Sequence, residues 1–90
     1  MKMTPEHQRV LRAAIRPFDV PAIRERYKNG DFPHANAVKD LELRFRWDLF
    51  WMAFRTHRDS MTPLMEDYND AHIDTALRSI VSPLYPTENG

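Results

Sequence analysis

Cysteine is absent from this 90-residue chain. No disulfide can staple the fold and no thiolate can hold zinc, which suits a reducing compartment. Glycine occurs only at Gly30 and Gly90, so no glycine-rich loop can cradle a phosphate and no nucleophile elbow can form. No apolar run approaches the roughly 18 residues that cross a membrane. Residues 1–6 lack the apolar stretch of a secretion signal, and a cytoplasmic location is the expectation. The four histidines, His7, His34, His57 and His72, never stand at the spacing of a helical zinc motif. Asp70, His72 and Asp74 come close in sequence, but helix positions two apart point away from each other. These absences predict a protein with no metal, no cofactor and no catalytic residue.

Net charge is also zero, yet the charges are not evenly spread. Residues 1–58 carry twelve Lys and Arg against seven Asp and Glu, a balance of +5, and residues 59–90 carry one Arg against six acids, −5. The cationic half can seek phosphates or acidic protein surfaces. Packing of the two halves against each other is the structural alternative.

What the chain does have is helix punctuation. Thr4-Pro5-Glu6 is a start signal, and apolar Val10, Leu11, Ala14 and Ile15 follow until Pro17. Asp19 and Pro21 open a second helix, which Asn29-Gly30 closes. Phe32 is expected to tuck into the core from the loop that follows. A long helix is predicted over residues 35–56, about 30 Å in length. Thr62-Pro63 predicts a short helix to Tyr68, and Asp70 predicts a last one over residues 71–81 with Ile73, Ala76, Leu77, Ile80 and Val81 inward. No strand-type alternation and no internal repeat is present. The reading is one all-α domain over residues 1–90, a compact bundle of four to five helices around one long central helix, with residues 83–90 as a loose tail. A chain this short buries only about 60% of its unfolded surface, so a partner or a second copy would add stability.

The long helix carries two apolar stripes. Val38, Leu41, Phe45, Leu49 and Met52 lie within about 80° of one another, and Leu43, Trp47, Phe50 and Phe54 lie nearly opposite, with Trp51 on their flank. Asp40, Arg44 and Asp48 separate the stripes on one side, and Lys39, Glu42 and Arg46 on the other. Two stripes need two sets of neighbours. Either the helix is covered by other helices on both sides, or one stripe is an interface for a second copy or a foreign protein. Aromatics dominate binding hot spots, so Leu43, Trp47, Phe50, Trp51 and Phe54 are the candidate partner-binding residues.

Arg9, Arg12 and Arg16 form a basic stripe on the first helix, with Arg24, Arg26 and Lys28 following. They could follow a phosphate backbone or steer an acidic protein. A solvated face is the simpler account, since the chain has no overall basic excess.

Two segments, residues 39–51 and residues 69–81, resemble small uncharacterised proteins encoded by bacteriophages and prophages. Lys39-Asp40-Leu41-Glu42-Leu43-Arg44 opens the first and Asn69-Asp70-Ala71-His72-Ile73-Asp74 the second. The resemblance covers helix-packing segments and carries no catalytic or binding residue. It implies a context, because phage proteins of this size often bind a host protein, the anti-CRISPR class among them. The expectation is a non-enzymatic protein that binds and inhibits a bacterial host protein or defence complex in the host cytoplasm. A small nucleic-acid-binding regulator and a self-associating assembly component are the alternatives.

Overall fold

A computed structural model describes residues 3–32 and 40–85. Among them are five helices and no strand: α1 (Pro5–Ile15), α2 (Val20–Lys28), α3 (Leu41–Thr56), α4 (Arg58–Asp67) and α5 (Asp70–Ile80). The all-helical class is therefore as expected.

Local chemistry sets most boundaries. Thr4 is the N-cap of α1 and its hydroxyl accepts from the His7 N–H at 3.3 Å. Asp19 caps α2 in the same way through Ala22 at 3.2 Å. Each satisfies an N–H that the helix itself cannot. Gly30, at φ 78°, turns the chain out of α2 in the left-handed region that only glycine enters without steric penalty.

Three boundaries differ from expectation. The long helix begins at Leu41, because the Asp40 carboxylate captures the Leu43 N–H at 3.1 Å and caps it there. The predicted turn over residues 35–39 lies outside the described residues. α4 starts four residues before the expected Thr62, and Pro63 sits inside it. A proline there leaves the Asp59 carbonyl without its helical donor. Both residues are exposed, so water can serve that carbonyl at little loss. The cap of α5 is Asn69, whose side chain accepts from His72 N–H at 3.0 Å, and Asp70 is the first helical residue.

α3, the longest helix, packs against α1, α4 and α5. The core joins Leu11, Ala14 and Ile15 of α1 to Met61 and Leu64 of α4 and Ile73, Ala76 and Leu77 of α5. Phe45, Leu49, Phe50 and Ala53 fill its middle from α3, all without exposed surface. Tyr27 enters from α2, edge-on to Phe45, with Phe32 stacked on it at 4.5 Å. The expected loose tail is corrected at its start. Leu84 is fully buried, and the N–H groups of Leu84 and Tyr85 each donate to the Glu42 carboxylate at 2.8 Å.

Candidate functional site

The two stripes of α3 do not divide into one buried and one exposed. The buried residues Phe45, Arg46, Leu49, Phe50 and Ala53 make one arc of about 140°. That arc takes Phe45 and Leu49 from one stripe and Phe50 from the other. The wedge between them, which carries Glu42 and Arg46, is the side that faces inward.

A buried guanidinium needs partners. Arg46 finds them in Asp74 of α5, with Nε–Oδ1 at 2.8 Å and Nη2–Oδ2 at 3.4 Å. Its Nη1 also lies 3.9 Å from Glu42 Oε2. Asp74 takes a further hydrogen bond from Arg78 Nε at 3.1 Å. Burial alone would raise the Asp74 pKa, but the hydrogen bonds and charges of Arg46 and Arg78 outweigh it and hold the carboxyl below its usual value. Asp74 is thus absorbed in a structural network. Among the described residues no group of three His, Cys, Asp or Glu side chains is placed to hold a metal ion.

The other edge of the arc is aromatic and open. Phe50 belongs to the core, with no exposed surface, and its place among the contact residues is corrected. Around it stand Trp47 at 5.2 Å, Trp51 at 5.5 Å and Phe54 at 6.3 Å between ring centroids. Trp47 and Phe54 are half-buried, while Trp51 is 41% and Leu43 37% exposed. The result is an aromatic shelf anchored on Phe50. Its far end is cationic. The Arg58 guanidinium lies 5.8 Å from the Phe54 ring, and exposed Arg55 bonds back to the Trp51 carbonyl at 3.4 Å.

The six predicted electrostatic residues separate into two groups. Arg9, Arg12 and Arg16 are exposed on α1, away from its buried Leu11, Ala14 and Ile15. Their side chains make no ion pair with a described residue. The cations of α2 are engaged. Arg24 reaches the Ser82 carbonyl at 3.4 Å and stands 5.9 Å from the Phe45 ring, with its Nε buried. Arg26 covers Phe32 at 4.6 Å, and Lys28 pairs with Glu25 at 3.6 Å. Arg24 is thus a packing residue, and a six-residue phosphate track does not assemble.

Sequence reasoning missed a second concave feature. Ile23, Arg26 and Tyr27 of α2 face Arg44, Asp48, Met52 and Arg55 of α3 across a cavity of 290 Å³. The Tyr27 hydroxyl donates to Asp48, which also pairs with Arg44 at 3.1 Å. Burial raises the Asp48 pKa, an effect that the nearby charge of Arg55 partly offsets. The i, i+4 pairing of Arg44 with Asp48 was legible from their spacing, whereas Asp40 serves as the N-cap of α3, and the α2 side chains that complete the cavity were not legible.

None of the helices described is long and apolar enough to cross a membrane. Compared with protein-family models, curated proteins and solved structures, the chain matches none.

Proposed function

We propose that this chain is a non-enzymatic protein-binding module whose contact surface is the aromatic shelf of α3. The observation that carries the reading is the exposure of Trp51 and Leu43 beside half-buried Trp47 and Phe54. Only one other large apolar side chain among the described residues, Tyr85, is as open. Contiguous apolar surface of this kind is characteristic of interaction sites, and tryptophan anchors them more often than most residues. Phe50 fixes the shelf from below, so little side-chain order is left to lose on binding.

The rim favours an acidic partner. Arg55 and Arg58 flank the shelf, and Arg9, Arg12 and Arg16 add cations on α1 that pair with no described residue. Such charges speed encounter and suppress wrong partners more than they add affinity. In the phage context that the sequence resemblance implies, the partner is a bacterial host protein or defence complex, held stoichiometrically and inhibited, as anti-CRISPR proteins do.

Affinity capture from a bacterial lysate with the tagged chain, with its solution mass measured alongside, tests this reading. Near-stoichiometric recovery of one host complex is the expected result. A homodimer with nothing else recovered would make the shelf a self-association face and favour the assembly role. Recovery of nucleic acid alone, lost steeply with salt, would favour the regulator.

A further inference from the structure

We propose that the face formed by α1 and α4 is a weak, salt-sensitive homodimer interface, in which Arg9 and Arg16 of each copy pair with Glu66 and Asp59 of the other about a two-fold axis. The proposal goes beyond the aromatic-shelf reading and does not depend on it. Direction, register and charge carry it.

α1 and α4 lie side by side and run antiparallel. The start of α1 meets the end of α4: the Thr4 N–H donates to the Tyr68 hydroxyl at 3.1 Å, and His7 Nδ1 lies 2.7 Å from the same oxygen. Further along α1, Val10, Ala13 and Ala14 share a shallow cleft of 210 Å³ with His57 and Ser60 at the start of α4. Counted from the contact between His7 and Tyr68, Arg9 and Glu66 are each two residues away, and Arg16 and Asp59 each nine. At about 1.5 Å per residue, the members of each couple stand at equal height on their helices. All four side chains are exposed. None makes an ion pair with a described residue.

A two-fold axis in the plane of this face, parallel to the helices and midway between them, preserves height and exchanges the helices. It lays α1 of one copy over α4 of the other, with Arg9 above Glu66 and Arg16 above Asp59, and symmetry repeats both pairs. A docking that set α1 on α1 would oppose arginine to arginine, which favours the exchanged arrangement. Ala13 and Ser60 keep the seam between the helices low, so the second copy can approach closely. The face is small. Two helices roughly 16 Å long and 10 Å wide outline about 320 Å², well below the roughly 800 Å² per partner of a stable complex. Association is therefore weak, and the exposed charges that guide it are screened by salt. Arg58, which meets Phe54 of the shelf, leaves α4 about 100° from Asp59, so the shelf lies outside the contact.

Sedimentation equilibrium of the full chain at about 0.05 M and about 1 M salt tests the proposal. A dimer with a Kd on the order of 0.1 mM is expected at the lower salt, and association at least about tenfold weaker at the higher. Arg9→Glu with Arg16→Glu should abolish it, as should Asp59→Arg with Glu66→Arg. An equimolar mixture of these two double variants should associate again, because every facing pair is then of opposite sign. Arg26→Glu with Lys28→Glu places the same charge change on α2, and its mixture with the Asp59 and Glu66 variant should associate at least about tenfold more weakly. Trp51→Glu should dimerise as wild type does. Wild type that stays monomeric at about 1 mM in the lower salt would overturn the proposal even if a variant failed to fold. So would a mixture of the folded charge variants that is no tighter than the α2 control. Loss of the dimer in folded Trp51→Glu would overturn it as well, by moving the contact to the shelf.

Discussion

Replacing Arg46 with methionine should destabilise the fold by about 2 kcal/mol, a value that follows from what the change leaves behind. Methionine keeps much of the aliphatic stem that Arg46 buries and removes only the charged fork. Removing one partner of a fully buried ion pair costs roughly 3–5 kcal/mol, because the other charge is stranded. Here the stranded groups are not helpless. Asp74 keeps its bond from Arg78, and Glu42 keeps two backbone donors. Their side chains also retain 17% and 30% exposure, which lowers the penalty. A chain of this length is stable by about 5–13 kcal/mol, and each kcal/mol lost lowers Tm by about 4–8 °C. Arg46→Met should therefore lower Tm by about 8–16 °C in a circular-dichroism melt. Urea unfolding of Arg46→Met, Asp74→Asn and the double variant should give a coupling of at least about 1 kcal/mol. A loss below about 0.5 kcal/mol for Arg46→Met would refute the claim that α3 turns this wedge inward, since surface changes stay within that range.

Other expectations follow from the same contacts. The lowered Asp74 pKa means that its contribution is fully present above the unfolded value near 4 and is lost as pH falls through the folded value. The stability gap between wild type and Asp74→Asn should therefore close in acid, and a gap that widened below about pH 4 would count against the network. Asp48 has the opposite sign: its raised pKa makes its ionisation a burden that grows as pH rises through the folded value, so Asp48→Asn should gain on wild type over that interval. Glu42→Ala should release the segment around Leu84, and hydrogen exchange at the Leu84 and Tyr85 amides should accelerate, whereas unchanged protection would show another anchor. Phe50→Ala should cost about 3–5 kcal/mol and Trp51→Glu clearly less, and similar losses for both would contradict the division between core and shelf.

The helices were legible where the signal is local. Thr4 and Asp19 each cap a helix three residues before their acceptor's partner, and a sequence displays that spacing directly. The inward faces of α1 and α5 were legible for a similar reason, since each carries one apolar stripe: Leu11, Ala14 and Ile15 in the first, Ile73, Ala76 and Leu77 in the second. The face of α3 was not. Its two stripes are equivalent in periodicity, and the deciding contact is a pair between Arg46 and Asp74, 28 positions apart. An arginine and a glutamate between apolar stripes read as solvent-facing until that partner is known. Pro63 misled for a related reason, because proline favours a first helical turn but is tolerated deeper where the carbonyl it strands faces water. Of the candidate site, the aromatic composition was evident from Trp47, Trp51 and Phe54, whereas the removal of Phe50 to the core and the engagement of Arg24 with Ser82 depend on tertiary packing.

The most direct test of the proposed role is capture from a bacterial lysate by wild type and by Trp51→Glu in parallel, after both proteins have been shown to be folded at the capture temperature. The account predicts that wild type recovers one host protein or complex near stoichiometrically and that Trp51→Glu loses it. Equal recovery of that partner by the two proteins would contradict the account, because the exposed indole would then lie outside the contact surface.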